Sequence, residues 1–233
     1  MLTNLRAKIK ITPLQVFVYL LGIFPALWLL WDGLNDNLTV NPIQALTQRS
    51  GRYAIFFLIL SLACTPINTV FGFRSVLKVR RALGLTAFFY ALLHFVLFVG
   101  VDYQFNLDLL KGVIFEKPYA LVGLSAFIVL FMLAVTSFRW WMKRLGKVWT
   151  RIHRFVYLAG VLVVIHYFWV VKGDFLRLSG DIAKPLIYAV VLTVLLILRV
   201  PAVRKIFANF RQRVRSFRKR KPRSSAPIQQ EFN

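Results

Sequence analysis

The chain has 233 residues, of which 58% are hydrophobic, a mean hydropathy of +0.65 and a formal net charge of +23. This composition is too apolar for a water-soluble domain, and a single cysteine, Cys64, excludes an internal disulfide and any cysteine-rich metal site. The charge would suggest nucleic acid, but its placement along the chain fits a membrane surface instead, so membrane lipid is the expected partner and nucleic acid is not.

Apolar runs of the length a helix needs to cross about 30 Å of hydrocarbon recur at 14–31, 53–71, 82–101, 118–138, 153–171 and 184–200. They are continuous rather than alternating, which argues against a closed barrel. They predict an all-α six-helix transmembrane bundle over residues 1–200, followed by a basic tail over 201–233. Arg6, Lys8 and Lys10 precede the first run as they would in a signal peptide. That run is longer than a secretory apolar region and no small-x-small pattern follows Trp31, so it reads as a retained helix. Cys64, inside the second run, is expected to pack as a small buried apolar residue. Segments 32–51 and 102–117 are long enough for short surface helices, and 172–183 is shorter. In the tail, Val203, Ile206, Phe207, Phe210, Val214 and Phe217 recur at three- and four-residue intervals between basic residues. That pattern predicts a helix lying on the anionic inner leaflet, ahead of a disordered end, PRSSAPIQQEFN. No glycine-rich phosphate loop or dinucleotide fingerprint is present, so nucleotide chemistry would come from elsewhere.

With the N-terminus inside, 24 of the 31 Lys and Arg fall on the cytoplasmic side. Seven of the eight acids (Asp32, Asp36, Asp102, Asp108, Glu116, Asp174 and Asp181) fall on the other. Every loop obeys the positive-inside rule, which places both termini in the cytoplasm. The six tryptophans cluster near helix ends, Trp28, Trp31 and Trp169 toward the outer face and Trp140, Trp141 and Trp149 toward the inner, as an aromatic belt requires.

Of the three histidines, His94 and His166 are the only His, Lys, Arg, Asp or Glu in the apolar cores of these runs. Ionisable groups in hydrocarbon are costly and are usually kept for ligation, proton relay or ion passage. His94 lies 12 residues past Ala82 and His166 lies 13 past His153, which is about 18–20 Å along two helices that run from inside to outside. Two neutral imidazoles at matched depth can bind one metal from both sides. Haem b is the species whose other coordination positions are already filled, whereas a bare zinc or iron would want three or four protein ligands. The competing readings are histidines acting as hydrogen-bonded structural glue, or a proton or ion pathway, which usually also uses Asp, Glu or Lys. His153, between Arg151 and Arg154 at the inner interface, is an open third candidate; on an ideal helix it does not share a face with His166. Gly84, Gly100, Gly123 and Gly160 are positions where backbones can approach a macrocycle, or simply one another.

LGKVWTRIHRFVYLAGVLVVIHYFW (145–169), VRRALGLTAFFYALLHF (79–95), EKPYALVGL (116–124), LAVTS (133–137) and GIFPALWLLWD (22–32) resemble the MsrQ (YedZ) family, the haem-binding membrane subunit of the bacterial periplasmic methionine-sulfoxide reductase system. The likeness runs from the first helix to the sixth. More distantly the chain resembles the ferric reductase and NADPH oxidase transmembrane core. That core carries a histidine pair on each of two helices. His153 and His166 match one pair by spacing, and His94 matches the outer member of the other, whose inner place holds Arg80 and Arg81. The resemblance implies that His94 and His166 are axial ligands of a haem iron, that a second haem at His153 is possible, and that FMN is associated, with no residue assigned to it. It further implies a multi-pass protein of the bacterial inner membrane that is itself non-catalytic. Such a subunit passes electrons from the quinone pool or a cytoplasmic flavin reductase through haem b to a periplasmic molybdenum-cofactor reductase. That partner, bound as a heterodimer, repairs oxidised methionines. The alternatives are a stand-alone ferric or cupric reductase-like haem protein, and a cofactor-free transporter or scaffold.

Overall fold

The computed structural model describes residues 12–171, 182–207 and 209. Among them every regular element is helical: α1 (Pro13–Leu34), α2 (Pro42–Phe71), α3 (Val76–Val96), α4 (Leu107–Glu116), α5 (Pro118–Val135), α6 (Arg139–Leu145), α7 (Lys147–Ile152), α8 (Val156–Val170) and α9 (Ala183–Ile197). A further helix, α10 (Pro201–Phe207), follows a bend of 78°. The helix starts follow from local chemistry. Proline opens α1, α2 and α5 within the first turn, where a missing N–H is no loss. Thr12 and Gln15 cap α1 reciprocally, and the Asn41 side chain accepts the Gln44 N–H at 3.1 Å to cap α2. Gly72, at φ 79°, supplies the left-handed residue that ends α2.

Five of these units are long and apolar enough to cross a membrane: α1, α2, α3 with the π-helical turn Leu97–Asp102 that continues it, α5, and the α7–α8 unit Lys147–Val170. A sixth arises if α9 and α10 count as one broken span. The all-α transmembrane bundle expected from the hydropathy pattern is therefore the observed architecture. Its boundaries differ most at α2, which begins eleven residues before the apolar run at 53–71. Gln44, Gln48, Arg49 and Arg52 interrupt the hydropathy but not the helix, which is anchored by its cap and by an ion pair from Arg49 to Asp32 at the end of α1. Hydropathy marks where a helix enters hydrocarbon, whereas the cap marks where it begins. α4 is the surface helix expected in segment 102–117. Residues 172–181 and the tail beyond 209 lie outside the described residues.

The core centres on α2. Phe57, Leu58 and Leu62 are buried there against Ala87 and Tyr90 of α3 and Ala159 of α8. Between membrane helices, lipid is as apolar as leucine, so close packing through small residues takes over from hydrophobic burial. Ala54, Ala87, Ala126 and Ala159 are all buried in this way. Cys64 is buried as expected, its thiol directed at the Leu60 carbonyl at 3.3 Å. The outer surface is correspondingly greasy, with Phe17 and Trp31 of α1 both 61% exposed.

Pro66 sits inside α2 and cannot donate to the carbonyl of Leu62, four residues earlier. Arg199, in the bend after α9, supplies the missing donor from its guanidinium and also donates to Tyr157 Oη at 2.6 Å. A freed backbone carbonyl in the bundle is thus satisfied by a side chain from a distant part of the chain.

A paired-histidine site at the acidic end of the bundle

Asp32, Asp36, Asp102, Asp108 and Glu116 all lie in or beside the connections at one end of the bundle, here termed the acidic end. His94 and His166 lie toward this end, on α3 and α8, and their ring centroids are 6.1 Å apart with planes at 78°. Each ring is held by a backbone carbonyl of a neighbouring helix. His94 Nδ1 is 2.7 Å from Thr47 O on α2, and His166 Nδ1 is 2.8 Å from Tyr119 O on α5. A carbonyl only accepts, so each Nδ1 carries the proton and each neutral ring keeps its lone pair on Nε2. That is the tautomer a metal requires.

The spacing is also suitable. With metal–nitrogen bonds of about 2 Å and ring radii of about 1 Å, two imidazoles facing across one metal hold their centroids about 6 Å apart. Among the described residues no group of three or more His, Cys, Asp or Glu is gathered, so a bare ion would lack its cage. The carboxylate of Asp32, also at the acidic end, is committed to Arg49. The donor set fits a metal already ringed by a macrocycle. α3 and α5, which contribute to the site, are joined by Phe95 stacked on Phe127 at 4.4 Å and 7°.

Gly51 and Gly123 lie directly against the two rings. A Cβ on Gly51 would lie 3.1 Å from His94 Nδ1, and one on Gly123 would lie 2.7 Å from His166 Nδ1 and Cε1. Of the glycines named from the sequence, Gly123 makes a close approach, though to an imidazole. Gly84 faces Ser61, Gly100 faces Phe105, and Gly160 faces Leu192 and Leu62, so these three are packing residues.

His153 sits apart from this pair, in a short 3-10 turn (His153–Phe155) joining α7 to α8. Its ring lies 4.0 Å from that of Trp149 at a tilt of 30°, its Nδ1 lies 3.1 Å from Trp149 O, and its Nε2 lies 3.3 Å from Ser137 Oγ. Ser137 Oγ is nearer the Leu133 carbonyl, at 2.7 Å, and has a single proton to give. His153 Nε2 is therefore only loosely engaged. The 3-10 turn advances the chain by about 120° per residue instead of about 100°. It moves His153 nearer the face of His166 than a continuous α-helix would.

The family described as the ferric reductase like transmembrane component matches residues 50–164, a stretch that holds Gly51, His94, Gly123 and His153. The protein-methionine-sulfoxide reductase haem-binding subunit MsrQ of Bordetella pertussis is 37% identical over 84% of this chain and 92% of its own length. The subunits of the same name from Rhodospirillum rubrum and Xanthomonas euvesicatoria are 39% and 38% identical, over 82% and 74% of this chain and 89% and 76% of their own. The chain belongs to the MsrQ family.

In this MsrQ family member, sequence reasoning singled out the histidines but missed Thr47, Gly51 and Tyr119. Thr47 and Tyr119 act through backbone carbonyls, which no residue letter reports. One signal was available. Thr47 and Tyr119, Gly51 and Gly123, and His94 and His166 are each separated by 72 residues. The same offset also pairs the buried Ala54 with Ala126, Leu58 with Leu130 and Ala87 with Ala159. Comparing the chain with itself at that offset would have drawn attention to both glycines.

Proposed function

We propose that this chain is the electron-transfer subunit of a methionine-sulfoxide reductase system, with His94 and His166 as the axial ligands of one haem b. The observation that carries this reading is the paired imidazoles, 6.1 Å apart, each with Nδ1 committed to a backbone carbonyl. Haem bound there supplies a one-electron carrier in a low-dielectric setting. The protein's own part is to fix both rings and keep their Nε2 lone pairs unprotonated.

The reading extends to direction and partners. The positive-inside rule assigns the acidic end to the periplasm and both termini to the cytoplasm, so the site lies toward the periplasmic face of the inner membrane. Electrons would come from the quinone pool or a cytoplasmic flavin reductase. They would leave for a periplasmic molybdenum-cofactor reductase, bound as a heterodimer, that returns methionine sulfoxide to methionine. FMN enters by family likeness alone, and His153 is the residue available to a second haem. The basic tail from 201 would lie on the inner leaflet.

The test is reoxidation. The purified subunit, reduced and kept anaerobic, should stay reduced with a methionine-sulfoxide peptide alone and reoxidise when the molybdenum partner is added. Reoxidation by ferric chelates, with none by that pair, would favour the stand-alone ferric reductase reading instead.

A further inference from the structure

The two halves of the site are built alike. In each, a helix offers the carbonyl of residue i to an imidazole Nδ1, and residue i+4 of the same helix is glycine: Thr47 with Gly51 on α2, and Tyr119 with Gly123 on α5. The accepting carbonyl lies 47 residues before its histidine in both cases. The three ring atoms nearest the missing Cβ are the same in both, namely Nδ1, Cε1 and Cγ. In a helix the carbonyl of residue i points along the axis toward residue i+4. The side chain at i+4 therefore overhangs the carbonyl, and only glycine leaves room for a ring to reach it.

From this geometry we infer that Gly51 and Gly123 are positioning residues of two copies of one cradle. Each clears the path to a carbonyl that fixes the tautomer and rotation of a proposed ligand, so that Nε2 faces the shared centre. The inference rests on the reading of His94 and His166 as ligands and assigns to two glycines the task of orienting them. The α2–α3 and α5–α8 pairs, whose buried alanines and leucines recur at the same 72-residue offset, are thereby two versions of one histidine-presenting hairpin that meet at the site.

The two positions are not equally tight. At Gly51 the imidazole would have to give by a few tenths of an ångström, whereas at Gly123, with contacts of 2.7 Å, it must move. Losing a hydrogen bond behind a metal-bound histidine typically weakens binding about 10–100-fold. Gly123→Ala should therefore lose haem about tenfold or more faster than wild type in a haem-transfer assay. Gly51→Ala should retain haem, with a shifted midpoint potential and an altered low-spin EPR signal. Gly84→Ala is the control, since its Cβ would meet only Ser61 Oγ at an ordinary 3.4 Å; it should match wild type in all three readouts.

The experiment uses the full-length chain, purified from haem-sufficient cells and checked for monodispersity in detergent. His94→Ala and His166→Ala are run alongside. If these two keep wild-type haem, the ligand assignment fails, whatever the glycine variants do. If they lose haem while Gly51→Ala and Gly123→Ala keep wild-type retention, potential and EPR signal, the ligands stand and the cradle inference is overturned. Should Gly123→Ala fail to accumulate, Gly51→Ala decides by its potential and EPR signal. Equal shifts in Gly84→Ala would also overturn the inference, by showing a general effect of helix packing.

Discussion

An imidazole has two nitrogens, and at His94 and His166 the protein uses one of them to decide what the other can do. Donating Nδ1–H to the Thr47 and Tyr119 carbonyls leaves Nε2 as the only free lone pair on each ring. His153 is held differently, by the Trp149 carbonyl one turn earlier in its own helix and by Ser137 just past the end of α5. His94→Ala and His166→Ala should each abolish or severely reduce the haem at the acidic end, measured as haem per polypeptide, while His153→Ala should leave that haem in place. Loss of all haem in His153→Ala would reverse the order of importance of these sites. The histidines were legible in the sequence because an ionisable group in an apolar run costs free energy and so stands out. The carbonyls were not, because every residue has one and only the packing of helices selects two of them.

At the scale of elements, the spans were legible as hydropathy, but their ends and breaks were not. α2 runs on through Gln44, Gln48, Arg49 and Arg52, and that extension brings Thr47 and Gly51 to His94. The turn at His153–Phe155 is likewise invisible in the apolar pattern, since it changes hydrogen bonding and not composition. The junction of α2 with the bend after α9 gives an independent check on the packing. Pro66 leaves the Leu62 carbonyl without its helical donor, and Arg199 replaces that donor. Arg199→Ala should destabilise the protein by about 1–3 kcal/mol, the usual cost of an unsatisfied buried polar group. In a Pro66→Ala background, where the backbone N–H regained at that position can close the helix, the same substitution should cost clearly less. The Tyr157 contact is lost in both backgrounds, so the difference isolates the carbonyl. Thermal unfolding of the four proteins in detergent makes the comparison, and equal costs in the two backgrounds would contradict this account.

Over the whole molecule, the architecture places a paired-histidine site near one end of a bundle, and the acids among the described residues gather at that same end. Composition, charge placement and matched histidine depth anticipated this arrangement, because each follows from the energetics of crossing a bilayer. Those terms do not register a 72-residue self-likeness that places glycine, alanine and leucine at equivalent buried positions; that similarity reflects helix–helix fit. The central claim is that the bundle holds haem between His94 and His166, and one measurement tests it most directly. It is the reduced-minus-oxidised visible spectrum of the detergent-purified chain, with haem quantified per polypeptide. A low-spin b-type signal at about one haem per chain is the predicted result, and a second equivalent would bring in His153. No haem in protein purified from haem-sufficient cells would contradict the account and leave a transporter or scaffold.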